Sequence, residues 1–282
     1  MGNIRAVLIL SLGMFLACSK SENSSADSGF EYPDTTTVAE REIKVMSFNI
    51  RYCTPYLPVG NTAIDIAGTA TVIKNASPDV VLLQEVDVNT DRSGKLDQIA
   101  LISDYTGMKY FYFSKAIDYQ GGSFGVAVLS KYPIDYSKTH MLPKQDVEGS
   151  YVEQRVLCET RITFPGKHTY TVSTSHLDLT ETNRLLQITA INDVLSKSPY
   201  PVIFGGDFNA SPGSATINKI DALGYIRTCL KDCYTISSTN PTKEIDYVTF
   251  MPASKFDVLS HRVITGVTAS DHLPVITVLK MK

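Results

Sequence analysis

His176 closes the apolar run Val172-Ser173-Thr174-Ser175 and precedes Leu177-Asp178. Several other polar groups also sit at the ends of apolar runs. Asn49 and Arg51 share one face of Val45–Tyr52, and Glu85 closes Val80–Gln84. Asp207 and Asn209 lie two apart in Gly205-Gly206-Asp207-Phe208-Asn209-Ala210-Ser211-Pro212, a segment in which the two glycines let the backbone turn sharply after a strand. Asp246 stands within Glu244-Ile245-Asp246-Tyr247-Val248, and Asp271-His272 stands just before Leu273-Pro274-Val275. Each of these alone has a plain reading. Asn and Asp serve turns, a lone His packs structurally, and a surface Glu is solvated. Together they form a set of oxygen donors and two imidazoles. Hard oxygen donors suit Mg²⁺, or else Mn²⁺ or Ca²⁺. Such an ion stabilises charge on a phosphoryl group and its leaving oxygen, while a carboxylate or an Asp–His pair deprotonates the attacking water. Arg51 and Arg155 (in Glu153-Gln154-Arg155-Val156) offer cations for phosphate oxygens, with surface ion pairing as the alternative.

Those residues must be held by strands. Short runs rich in β-branched residues occupy Ile43–Tyr52, Asp79–Gln84, Gly125–Ser130, Arg155–Phe164, Thr169–Leu179, Pro201–Phe204, Ile245–Phe250 and Pro274–Leu279. Helical spacing appears between some of them. Ala63–Asn75 aligns Ile66, Ala70 and Ile73. Thr182–Leu195 aligns Leu185, Ile188 and Leu195, with Leu186, Ala190 and Val194 widening the stripe. Ser214, Ile217, Ile220, Leu223 and then Gly224 read as a capped short helix. The chain echoes itself once. Strand, helix and strand from Val45 to Glu85 match strand, helix and strand from Val172 to Asp207, each strand ending in a polar group. Two such halves pack sheet on sheet with helices outside, and their strand ends meet at one edge of the sandwich.

Arg5 is the only charge in residues 1–17, and the apolar run after it is too short to span a membrane. It reads as a signal peptide. Phe15-Leu16-Ala17-Cys18 is similar to a bacterial lipobox, with Phe15 as a departure, and makes Cys18 the lipidated first residue. Residues 18–40 then serve as a flexible tether, and residues 41–282 form one domain without an internal linker. This predicts an exported lipoprotein, monomeric and held to the membrane on its periplasmic or outer face. Removing residues 1–17 leaves 25 Lys+Arg against 29 Asp+Glu, so nothing advertises binding to nucleic acid through bulk charge. Of the remaining cysteines, Cys53, Cys158, Cys229 and Cys233, the last two are nearest in sequence and the first choice for a disulfide. They also suit half a zinc site, but no second Cys/His pair at zinc spacing accompanies them. Buried free thiols are the third reading. The aromatics of Tyr105–Phe113 read as core in preference to a substrate cleft.

The ordered motifs Ser47-Phe48-Asn49-Ile50-Arg51, Leu83-Gln84-Glu85-Val86, Ser175-His176-Leu177-Asp178, Gly206-Asp207-Phe208-Asn209, Ile245-Asp246-Tyr247 and Ser270-Asp271-His272 resemble those of the endonuclease/exonuclease/phosphatase superfamily, the DNase I-like metal-dependent phosphohydrolases. The resemblance covers about residues 42–281. It implies an α/β fold, a four-layer α/β/β/α sandwich of two packed mixed sheets with outer helices. It implies that Glu85 is the principal metal ligand, assisted by Asn49, with Asp271 a further carboxylate on the metal side. Asp207 and Asn209 are then the pair at the water nucleophile and the phosphate oxygen. Asp246 orients His272, and His176 binds phosphate or serves the leaving group. The inositol polyphosphate 5-phosphatase branch carries a tryptophan-containing motif near the position of Asp246, and this chain has no Trp. Sphingomyelinases often place Thr and Gln after the central His, where this chain has Leu177-Asp178. The expected activity is hydrolysis of a small phosphodiester, phosphomonoester or phospholipid headgroup. The alternatives are an exported nuclease acting on DNA or RNA, and a binding lipoprotein that keeps the fold without turnover.

Overall fold

The computed structural model describes residues 42–57 and 60–282. The signal segment, Cys18 and the tether lie outside these residues. In chain order the elements are β1 (Glu42–Asn49), α1 (Ile66–Ala76), β2 (Val80–Val88), α2 (Gln98–Thr106), β3 (Tyr110–Tyr119), β4 (Gly122–Ser130), β5 (Ile134–Met141), β6 (Val156–Phe164), β7 (His168–His176), α3 (Glu181–Leu195), β8 (Val202–Asp207), α4 (Ala215–Ala222), β9 (Ile226–Arg227), β10 (Asp246–Met251), β11 (Phe256–Val263) and β12 (Val275–Met281). The first sheet runs β11-β12-β1-β2-β4-β3 and the second β5-β6-β7-β8-β10-β9. The two halves of the sequence echo correspond to the parallel pairs β1–β2 and β7–β8. Among the described residues no helix is long and apolar enough to cross a membrane.

Strand alternation builds three cores from these two sheets. Ile43 and Val45 of β1, Val80 and Leu82 of β2, Val172 of β7, Ile203 of β8 and Val248 of β10 meet between the sheets. Met46, Phe48, Val81 and Leu83 face the other way, onto Ile66 and Ile73 of α1 and Ile99 and Ile102 of α2. Val202 and Phe204 face Ile188 and Ile191 of α3 and Ile217 and Ile220 of α4. Helix, sheet, sheet and helix thus form four layers, the α/β/β/α sandwich expected from the sequence. Helices α1, α2 and α4 start where the chain supplies a side-chain cap. Asp65 accepts from the Gly68 amide, Asp97 from Ala100 and Ser214 from Ile217.

Several local expectations are corrected. Strands β3, β5, β9 and β11 and helix α2 lie outside the runs that the sequence pattern marks. β5 and β11 are edge strands whose half-exposed, polar sequences lack an apolar run. Tyr105, Tyr110 and Phe111 are exposed rather than core. On α3, Leu186 is exposed while Asn183, Arg184 and Gln187 are buried. Gly205 and Gly206 do not make a turn, since both lie inside β8. Cys229 and Cys233 form a disulfide, whereas Cys53 and Cys158 are free and buried, with burial pushing each thiol up to about 12.

Two positions test this packing. Gly206 has φ 144°, and a Cβ there would lie 2.0 Å from the Ser175 carbonyl oxygen on the neighbouring strand. Gly206→Ala is expected to cost about 4 kcal/mol or more, while Gly213→Ala (φ 86°, open space) costs about 1 kcal/mol. Urea unfolding of the two variants checks the contrast. Glu244 is buried, and its carboxyl is pushed up to about 7 by desolvation and by Asp246, against the pull of Arg227. The folded chain therefore holds this proton more tightly than the unfolded chain, whose value is near 4.5. The stability contribution is present below that value and is lost as pH rises through the folded one. Glu244→Gln should leave stability unchanged near pH 4.5 and raise it by about 1–3 kcal/mol near pH 8, as measured by urea unfolding at both pH values.

Candidate active site

The alternation that fills the inter-sheet core also delivers the polar strand ends to one place. Counting by twos from Ile43 and Val45 puts Asn49 on the inner face of β1. The same count from Tyr170 and Val172 reaches His176, from Ile203 reaches Asp207, and from Phe250 and Val248 reaches Asp246. Register aligns the last three. His176 pairs with Asp207 across the parallel strands β7 and β8, and Asp246 pairs with Asp207 across the antiparallel strands β8 and β10. They form one row at one end of the second sheet, all buried.

Glu85 arrives by a different device. Val81 and Leu83 face α1 and α2, so uninterrupted alternation would send Glu85 into that helical core. Instead the pairing of β2 with β4 shifts between Leu83 and Val86, and Glu85 takes φ 56°. A bulge at a left-handed residue re-aims the side chain, at a cost of about 1 kcal/mol or more. The Glu85 carboxylate then meets Asn49, whose Nδ2 donates to Glu85 Oε1 at 3.0 Å and to Asp207 Oδ2 at 3.1 Å. Asn49 Oδ1 turns away and accepts from the Arg51 amide at 3.1 Å. In this arrangement Asn49 is a donor joining two carboxylates across the sheets.

Asp207 is the most heavily contacted group. Its Oδ1 accepts from the Asn209 amide at 2.9 Å, and its Oδ2 lies 3.4 Å from His176 Nε2 and 3.7 Å from His272 Nε2. Asn209 sits at φ 48°, and its Nδ2 donates to the Leu177 carbonyl at 2.9 Å. His272 Nδ1 lies 2.9 Å from Asp246 Oδ2. Burial raises the Asp207 carboxyl, and Asp246 raises it further, to about 7. Burial works against a charged His272, but Asp246, Asp207 and Asp271 outweigh it and hold the imidazole up to about 10. His176 is driven the other way, well below its ordinary value, by burial and then by Arg155 and His272. Loss of solvent also raises the Glu85 carboxyl, opposed by the Asn49 hydrogen bond. The two imidazoles are thus shifted in opposite directions within a single site.

The remaining sequence candidates stand at the rim. Arg51 Nη1 donates to the Pro55 carbonyl at 3.2 Å, and its Nε lies 3.9 Å from Asp271 Oδ2. The turn after β1 therefore directs Arg51 toward Asp271. Arg155 Nη1 lies 3.1 Å from Glu153 Oε1, and its buried Nε has no protein partner. Arg155 and His176 line a common small pocket with Gly125 and Phe124, and His176 Nδ1 is likewise unpartnered.

Sequence reasoning missed the residues that fix the loops. Gln187 Oε1 accepts from the Asp178 amide at 2.9 Å, and Arg184 Nη1 donates to the Leu179 carbonyl at 2.6 Å. These contacts hold the segment after His176. The signal was available in retrospect, because Asn183, Gln187 and Ile191 recur at four-residue spacing on one face. The His272 segment is held by segment 235–243, through Leu273 N to Thr235 O at 2.7 Å and Ser238 N to Asp271 O at 2.7 Å. Nothing in that segment's sequence advertised the role. Arg92 forms a bidentate pair with Asp87 and lies over the Tyr52 and Tyr119 rings.

The donor set fits a hard divalent cation. Among the described residues Glu85 receives one side-chain hydrogen bond, leaving carboxylate capacity free. Asp246 Oδ1 is buried without a partner, one strand from the buried carboxylate of Asp207. Buried carboxylate oxygens short of donors are satisfied by a cation.

A family model described as "Endonuclease/Exonuclease/phosphatase family" matches residues 46–272. The protein YbhP of Escherichia coli (strain K12) is 29% identical over 148 residues, which is 49% of this chain and 56% of that protein. The chain therefore spans about half the length of this relative. Among solved structures, an endonuclease/exonuclease/phosphatase from Beutenbergia cavernae DSM 12333 aligns with a TM-score of 0.72 at 23% identity, covering 86% of this chain and 72% of that one. A mannosyl-6-phosphatase from Bacteroides thetaiotaomicron VPI-5482 aligns with a TM-score of 0.70 at 15% identity, covering 84% and 99%. These structural likenesses show the fold. The family match runs from β1 through His272 and takes in Asn49, Glu85, His176, Asp207, Asn209, Asp246 and Asp271; the chain belongs to the endonuclease/exonuclease/phosphatase family.

Proposed function

We propose that this chain is an exported, Mg²⁺-dependent phosphoester hydrolase that acts on a small phosphate ester or a phospholipid headgroup. The observation that carries this reading is the row His176–Asp207–Asp246, faced across the sheets by Glu85 through Asn49. Glu85 and Asp271 would hold the cation, with the unpartnered Oδ1 of Asp246 as a further oxygen of the site. When bound, that ion supplies Lewis-acid stabilisation of the phosphoryl and leaving oxygens.

The chain's own groups supply the rest. Asp207, fixed through both carboxylate oxygens, orients the attacking water and takes its proton. His272 lies between Asp246 and Asp207, a position that keeps its proton in place. It donates to a phosphoryl oxygen and stabilises negative charge there. His176, neutral beside Arg155, contributes a ring N–H to the phosphate or the departing oxygen. The Asn209 amide holds Asp207 in register with the incoming water.

A cavity of about 260 Å³, lined by Arg92, Tyr119, Phe124, Tyr151 and Glu153, favours a small substrate. Phe124 is shared with the pocket of His176 and Arg155, so the cavity adjoins the His176 end of the row. Its size suits a group smaller than most drug-like ligands. The solved relative named as a mannosyl-6-phosphatase is consistent with a phosphomonoester of sugar size.

Turnover of bis(p-nitrophenyl) phosphate and p-nitrophenyl phosphate by the purified chain should need Mg²⁺ and stop with EDTA. Asp207→Ala should lower it by at least about 10²-fold with the fold intact by circular dichroism. Glu85→Gln should weaken activation by Mg²⁺. If Glu85→Gln keeps full activity at the same Mg²⁺ concentration, the ligand assignment is wrong. Nicking of supercoiled plasmid that needs both Mg²⁺ and Asp207 would make the chain a nuclease, and a folded chain inactive on every ester would leave the binding lipoprotein. Export on a lipid tether rests on Arg5, the apolar run and Phe15-Leu16-Ala17-Cys18. Cys18→Ser is expected to abolish incorporation of labelled fatty acid and to release the protein from the membrane fraction. Unchanged labelling would sink the lipobox assignment.

A further inference from the structure

A second cluster of ligating side chains lies outside the active site. Cys229 and Cys233 belong to the segment between β9 and β10 of the second sheet, and His261 belongs to β11 of the first. One ring nitrogen of His261 and the two sulfurs lie within 4.8 Å of one another. The Lys231 carbonyl oxygen lies 3.4 Å and 3.2 Å from the two sulfurs.

His261 is already oriented as a ligand. Thr228 Oγ1 donates its single proton to the Val248 carbonyl at 3.0 Å. The same oxygen lies 2.9 Å from His261 Nδ1, a contact that fixes the ring from that side. His261 Nε2 is buried with no protein partner, and a neutral ring protonated on Nδ1 presents a lone pair there. Fixing one ring nitrogen by a hydrogen bond while the other stays free is how metal-binding imidazoles are commonly set. An orphaned buried acceptor is costly in a protein interior unless something satisfies it.

We propose that Cys229, Cys233 and His261 form a three-ligand site for a thiophilic divalent cation of the zinc type, open when the two cysteines are thiols and closed when they are joined to each other. Soft sulfur donors separate this site from the hard oxygen set around Glu85. Three protein ligands leave a fourth tetrahedral position for water or another donor. Opening the site takes two electrons and two protons, supplied by a thiol reductant that is itself oxidised to its disulfide. Two thiols result. Metal binding then releases both protons as the sulfurs ligate as thiolates. Cys229 and His261 are only half-buried, which gives the cation a way in.

The test is a Co²⁺ titration of the purified chain, since thiolate-to-cobalt charge-transfer absorption reports sulfur ligation and the active site holds no thiol. After reduction with a phosphine the band should rise to one equivalent and be displaced by Zn²⁺. It should be absent from the disulfide form and from Cys229→Ser/Cys233→Ser, which still carries Cys53 and Cys158. His261→Gln should weaken Co²⁺ binding by at least about tenfold while keeping the circular dichroism of the fold. No band on the reduced chain overturns the proposal. So does a band that survives the double serine variant, an affinity unchanged in His261→Gln, or unfolding on reduction.

Discussion

Asp207 is a carboxylate with almost no contact with water, placed within reach of another buried carboxylate and two imidazoles. Taking a charge out of water is expensive unless partners replace the solvent. Here the partners come from both sheets. Asn49 reaches across from the first sheet, while the Asn209 amide and His176 belong to the second. The partnership therefore works only if the sheets sit at one spacing and the strands at one register. A shift of one residue in β8 would turn Asp207 toward α3 and α4 and bring Phe208 to the inter-sheet face. The hydrophobic cores thus do more than stabilise the fold, because they fix the coordinates of a group that cannot tolerate displacement.

The positions of Asn49, His176, Asp207 and Asp246 were legible in the sequence for one physical reason. Each ends an apolar strand, and alternation sends it to the inner face. Glu85 was legible as a residue but not as a direction. Its route to the site depends on a bulge, which arises from pairing with β4 and leaves no mark in the local sequence. The missed strands β5 and β11 are edges, and edges are selected against the apolar run that reveals a central strand. On α3 the buried side carries Asn183, Arg184 and Gln187 beside Ile188 and Ile191, because its polar part anchors the loop after His176. Reading hydrophobicity alone therefore inverted part of that helix.

The arginines show a related limit. Charge and spacing nominated Arg51 and Arg155 as phosphate-facing cations. The structure gives each a local carboxylate, Asp271 for Arg51 and Glu153 for Arg155, yet Arg155 keeps a buried unpartnered nitrogen beside His176. Arg92 is clamped by Asp87 and by aromatic faces in the wall of the adjoining cavity. A fixed guanidinium on an aromatic wall is a rigid recognition element, since its orientation is settled before a ligand arrives.

The glycines of Gly205-Gly206-Asp207 carry the same logic into the backbone. A Cβ at Gly205 would stand 2.4 Å from the Tyr247 carbonyl and 2.8 Å from a Leu82 methyl of the opposite sheet. A Cβ at Gly206 would run into the Ser175 carbonyl. These residues sit inside a strand, where glycine ordinarily weakens the sheet. Their absent side chains let β7, β8 and β10 close up next to Asp207 and let Leu82 pack from across the gap. The motif thus owes its glycines to the approach of neighbouring backbones and of the facing sheet, and a sharp turn plays no part. That approach brings the row of His176, Asp207 and Asp246 within reach of Asn49, so the least conspicuous residues of the motif set the distance at which its acids act.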